Sequence, residues 1–147
     1  MVALGWSMGG AVAIEGCGRL IRPCPSMELL PGAPWDAAQL PSVAGVITLA
    51  SQACGLHKIG NGRGRMNSVR TSLALLGEHA HTPFVAVVGT ADTCVNPNQT
   101  DLVATWWAAK LGCRVTKIVE EGDDHGVSSA AAHVPRHVLR MLSAPEQ

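Results

Sequence analysis

The chain has 147 residues, enough for one domain (1–147) with a substantial buried core. Its 11 Lys and Arg balance its 11 Asp and Glu, and aromatic residues reach only 3%. The balance argues against a polyanion-binding surface and the shortage of rings against a base-stacking platform, so no nucleic-acid partner is expected. No apolar run reaches membrane-spanning length, and no signal peptide is read ahead of the first strand. Cysteines at positions 17, 24, 54, 94 and 113 form no C-x-x-C pair. Their odd number suggests reduced thiols in a cytoplasmic protein, and the sequon Asn98-Gln99-Thr100 is then expected to stay unused.

The first predicted element is a strand at Val2–Gly5, followed by a helix over residues 9–21. A Pro-rich connection of roughly 20 residues comes next, long enough to be functional or loosely ordered. Residues 43–50 read as a strand, residues 51–68 as a Gly-rich basic loop, residues 69–81 as a helix and residues 84–88 as a strand. Asn96, Pro97 and Gln99 then have the chemistry of a helix cap, first helical position and capping box. The helix they begin is expected to run to Leu111 and stop at Gly112. Its positions 102, 103 and 106 share a face, which predicts Trp106 in the core. Residues 115–119 form the last predicted strand, and a final helix lies between Pro135 and Leu142. Strands alternating with helices indicate an α/β fold with a parallel sheet of about four strands.

One motif carries chemistry. Gly5-Trp6-Ser7-Met8-Gly9-Gly10 matches G-x-S-x-G, in which a serine sits on a sharp strand-to-helix turn. Gly5 and Gly9 are expected to be small because that turn brings backbones together. A nucleophilic serine needs a base and an orienting acid, in the order Ser, Asp or Glu, His, each beyond a strand. Gly89-Thr90-Ala91-Asp92 ends one apolar run, and Gly122-Asp123-Asp124-His125-Gly126 follows the next. Their separations, 92 − 7 = 85 and 125 − 92 = 33 residues, leave room for a helix between the last two strands.

These three motifs in this order resemble the carboxy-terminal half of an α/β-hydrolase-fold serine hydrolase, over nearly the whole chain. Residues 45–52 and the Asp-Asp-His-Gly ending are similar to dienelactone-hydrolase-like members. The resemblance implies Ser7 as nucleophile, Asp92 as triad acid, His125 as base and the backbone N–H of Met8 as an oxyanion donor. It implies an ester, thioester or related small acyl substrate, and chemistry that needs no metal or organic cofactor. It also implies a sheet equivalent to strands 5–8 of eight, so the first four strands and the second oxyanion donor are expected to lie outside this chain. Two readings follow: a fragment or incomplete gene model of a larger hydrolase, or a catalytically impaired chain with a binding or structural role. In both, the uncovered strand at Val2–Gly5 is a candidate edge for self-association.

Other features weigh less. Gly60-Asn61-Gly62-Arg63-Gly64-Arg65 lacks phosphate-loop spacing and reads as a flexible loop. His133 and His137 stand four apart, but the intervening Pro135 and the lack of a spaced carboxylate favour helix-end cations over metal ligands. Asp123 and Asp124 are expected to be solvated, and Cys94 structural.

Overall fold

The computed structural model describes residues 1–21, 42–51, 62–80 and 82–143. The elements are β1 (Val2–Trp6), α1 (Met8–Ile21), β2 (Gly45–Leu49), α2 (Gly62–Ala80), β3 (Pro83–Gly89), α3 (Pro97–Asp101), β4 (Arg114–Glu120) and α4 (Val134–Ser143). A π-helical stretch, Leu102–Ala108, continues α3, and a 3-10 turn, Ser128–Ala132, precedes α4. The sheet is four-stranded in the order β1-β2-β3-β4, every pair parallel. The Pro-rich connection and Gly60-Asn61 lie outside the described residues.

Side chains alternate across the two central strands, and that alternation builds two cores. Val46, Phe84 and Ala86 face α1, α2 and the π-helical stretch, where Ile14, Leu73, Leu76 and Val103 complete one cluster. Ile47, Val85 and Val87 face the other way, onto Val127, Ala130 and Met141. β2 and β3 are therefore apolar on both faces, as strands covered by helices on both sides must be. Each large side chain buried there contributes about 1.5–3 kcal/mol. The two outer strands are wetter. Leu4 and Trp6 on β1 are each 50% exposed, and Val119 on β4 is 45% exposed.

Two helical expectations are corrected. α2 begins at Gly62, seven residues before the predicted start, so the Gly-Arg segment from 62 onward is helical backbone rather than loop. Trp106 is 60% exposed, with the Lys110 ammonium 4.2 Å above its ring, and does not enter the core. The cause is the π-helical stretch: its wider turns shift the phase of the face, so Val103, Ala104 and Ala108 point inward instead. The cap is as expected, with Asn96 Oδ1 accepting the Asn98 N–H at 2.9 Å and Pro97 opening the helix. Gly112 adopts φ +96° in the turn after the π-helical stretch.

Candidate active site

Ser7 sits where β1 turns into α1. Its N–H donates to the Leu49 carbonyl at 2.8 Å, extending the parallel ladder by one bond, and its φ is +54°. A left-handed serine is costly and turns the side chain out above the sheet. The glycines around it permit this. A Cβ on Gly5 would lie 2.1 Å from the Gly9 carbonyl oxygen, so the first glycine of the motif is required by the backbone. The expected second small position shifts by one. A Cβ on Gly9 would meet nothing within 4 Å, whereas one on Gly10 would lie 2.3 Å from Ser51 Oγ. Ser51 is fully buried beside it, and its hydroxyl has no hydrogen-bond partner among the described residues. Met8 begins α1, and the first N–H groups of a helix have no intrahelical acceptor.

Asp92 follows β3 in a tight turn. Its Oδ1 accepts the N–H groups of Cys94 and Val95, each at 2.8 Å, and its Oδ2 lies 2.9 Å from His125 Nδ1. Burial opposes the charge on this carboxylate, but the Val95 N–H, the imidazole and the Cys94 N–H together outweigh it and hold the pKa below the ordinary 3.8. With Nδ1 bonded to the acid, the imidazole presents Nε2 to whatever lies above the sheet.

His125 comes from the loop after β4, which stands three strand spacings, roughly 14 Å, from β1. The loop bridges that gap by folding back over the strand ends. Ala91 N–H donates to the Asp123 carbonyl (2.9 Å), Thr90 N–H to the Glu120 carbonyl (3.1 Å), and Gly122 N–H to Thr90 Oγ1 (2.8 Å). The far end of the loop meets the elbow. Trp6 Nε1 donates to the His125 carbonyl at 2.8 Å, and the two rings lie 5.0 Å apart between centroids. Among the described residues no hydrogen bond joins Ser7 Oγ to the imidazole. The elbow and the Asp92–His125 pair are connected through Trp6.

The remaining candidates lie elsewhere or act locally. Asp123 accepts from the N–H and hydroxyl of Ser129, whose two hydrogen bonds lower its pKa, and Asp124 accepts from the Gly126 N–H. His133 Nε2 is 3.3 Å from Glu120 Oε1, a carboxylate that the sequence spacing did not reveal, and Pro135 is accommodated in the first turn of α4. Burial, then Arg140, His133 and Arg136, depress the pKa of His137. A cavity of about 280 Å³ lies at the opposite end of the sheet, lined by the starts of β3 and β4 together with His137, Arg140 and Met141 of α4. Cys94 is exposed in the turn after Asp92, where its N–H donates to Asp92 Oδ1. The side chains of Arg63 and Arg65 fall outside the described residues. Trp6 is the residue that sequence reasoning passed over; its signal is an indole donor placed directly before the serine.

Parallel strands in this order, a left-handed serine at the first strand end and helices on both faces define the α/β-hydrolase fold, here as the part equivalent to strands 5–8. Solved structures bear out that class. Acyl-protein thioesterase 2 from Zea mays matches 95% of this chain with a TM-score of 0.59 at 15% identity. Thermogutta terrifontis esterase 2, phosphoramylated by tabun, matches 97% with a TM-score of 0.60 at 20% identity. The butyrate-bound form of that esterase matches 99% with a TM-score of 0.58 at 18% identity. The chain spans 55%, 55% and 58% of these three structures. It matches no family model and no curated protein. No helix among the described residues is long and apolar enough to cross a membrane.

Proposed function

We propose that this chain carries the nucleophile, acid and base of a serine hydrolase that cleaves an ester, thioester or related acyl bond of a small substrate. Ser7 Oγ attacks the carbonyl and His125 Nε2 takes its proton. Asp92 holds the imidazole in the tautomer that leaves Nε2 free and stabilises the imidazolium that forms. The N–H of Met8 donates to the oxyanion. His125 then returns the proton to the leaving group, and water releases the acyl group by the same steps in reverse. The supporting observation is the 2.9 Å bond between His125 Nδ1 and a buried Asp92, tied through Trp6 to a left-handed serine. The esterases and thioesterase that share the fold make acyl transfer the natural chemistry, and the Asp-Asp-His-Gly motif favours a dienelactone-hydrolase-like variant.

The resemblance assigns one oxyanion donor, the Met8 N–H, to these residues, and such a donor is worth on the order of 100- to 1,000-fold in rate. The second reading, a catalytically impaired binding or structural chain, draws support from the exposed Leu4 and Trp6 on β1. Cys17 and Cys113 are buried free thiols whose pKa values burial pushes up to about 11, inert chemistry that suits a reducing cytoplasm.

A fluorophosphonate probe tests the proposal. It should label Ser7, and both Ser7→Ala and His125→Ala should suppress labelling. Labelling that survives Ser7→Ala overturns the assignment.

A further inference from the structure

Cys94, Asp92 and His125 place a sulfur, an oxygen and a nitrogen within 4.8 Å of one another. The grouping is more constrained than a chance surface cluster. The Cys94 N–H is fixed to Asp92 Oδ1, which holds its Cα beside the acid, and its side chain is exposed. The N–H of Val95 also occupies Oδ1, so Oδ2, the oxygen facing the imidazole, is the one available to a ligand. One thiolate, one imidazole and one carboxylate suit Zn²⁺; Mg²⁺ and Ca²⁺ call for oxygen donors throughout. Three protein ligands with a fourth position open to water is an ordinary zinc arrangement. At ordinary zinc bond lengths tetrahedral ligands stand roughly 3.4–3.7 Å apart. The oxygen–nitrogen pair therefore parts slightly, and the sulfur closes in by turning about its own side chain.

We infer that Asp92, Cys94 and His125 form an inhibitory zinc site that competes with catalysis. The regulatory half of this inference rests on the proposed Ser7 mechanism; the binding half does not. On binding, Cys94 gives its thiol proton to solvent and the sulfur takes the metal. Zinc on Nδ1 breaks the bond to Asp92 and leaves the neutral ring's remaining proton on Nε2. Zinc on Nε2, with the ring turned over so that this nitrogen faces the acid, leaves the remaining proton on Nδ1. In either case the imidazole has no free nitrogen with which to take the proton from Ser7.

Co²⁺, a spectroscopic stand-in for Zn²⁺, separates the two halves when titrated into the chelator-stripped chain. A thiolate-to-cobalt charge-transfer band should appear, disappear on addition of Zn²⁺, and be absent in Cys94→Ser. Metal affinity should fall at least as far as when a supporting group is lost, on the order of 10- to 100-fold. Zn²⁺ should slow fluorophosphonate labelling of the parent chain, and slow Cys94→Ser far less, each normalised to its own metal-free rate. No band in the parent chain, or a band that survives Cys94→Ser, overturns the site. A Cys94-dependent band in a chain that never labels upholds the site and counts against the hydrolase reading instead.

Discussion

Trp6 and His125 stand 119 positions apart in sequence, yet the Trp6 indole N–H donates to the His125 backbone carbonyl across 2.8 Å. This bond ties the histidine loop to the residue directly before the serine. Trp6→Phe keeps an aromatic ring and removes the donor. A net hydrogen bond is worth about 0.5–1.5 kcal/mol, so labelling of Ser7 should slow by roughly two- to tenfold while circular dichroism stays unchanged. Parental labelling rates in Trp6→Phe would show that the indole does not position the loop.

Asp92→Asn should leave the fold intact and reduce turnover on the order of 10⁴-fold, because the amide holds the imidazole in the wrong tautomer. The same substitution should change acid stability. Asp92 titrates below its ordinary 3.8 in the folded chain, so its contribution is present above that value and drains away as pH falls through the lower folded value. The acid limb of stability against pH, followed by urea unfolding, should be shallower in Asp92→Asn. Asp123, also lowered, retains a share of the slope. An unchanged acid limb would remove Asp92 from the pH response.

Three alanine substitutions at the elbow should differ sharply. Gly5→Ala drives a Cβ into a carbonyl oxygen and should be the most damaging. Gly10→Ala meets Ser51 and should cost about 1–3 kcal/mol of stability, the scale of overpacking. Gly9→Ala meets nothing and should be neutral or stabilising by up to about 1 kcal/mol, since alanine suits a helix better than glycine. Denaturant unfolding of the three variants gives the ranking. Equal costs at positions 9 and 10 would contradict the shift of the second close approach to Gly10.

β1 forms one border of the sheet, with Leu4 half exposed. A border strand with apolar side chains invites pairing with another chain, and a lysine there opposes it. The parent chain should show concentration-dependent association by sedimentation, and Leu4→Lys should shift it towards monomer. A parent chain that sediments as a monomer at every concentration would count against association through this edge.

The strands were legible because their signal is local. Apolar runs over 84–88 and 115–119 predict β3 and β4 to within a residue or so at each end. The order of Ser7, Asp92 and His125 was also legible, since each follows a strand. Other features depend on distant parts of the chain. The inward face around Trp106 was misread because a π-helical turn changes the period that sequence counting assumes. The start of α2 was missed because Gly62 and Gly64 look like loop composition although the backbone there is helical. The place of Trp6 in the site, and of Cys94 beside it, depends on a loop folding back from β4, which no spacing along the chain encodes.

Gly89 ties these features to the way the site comes apart. A Cβ there would lie 2.4 Å from the Asp123 carbonyl oxygen, so the bare backbone lets the acid-bearing and base-bearing loops interlock. Asp92 and His125 therefore ride on β3 and β4, paired along their whole length, while Ser7 is carried by β1 at the opposite border of the sheet. Partial opening that starts at that border separates the nucleophile from an intact acid–base pair. On warming, reactivity of Ser7 should fade before the helical signal does, and amide exchange should be faster in β1 than in β3.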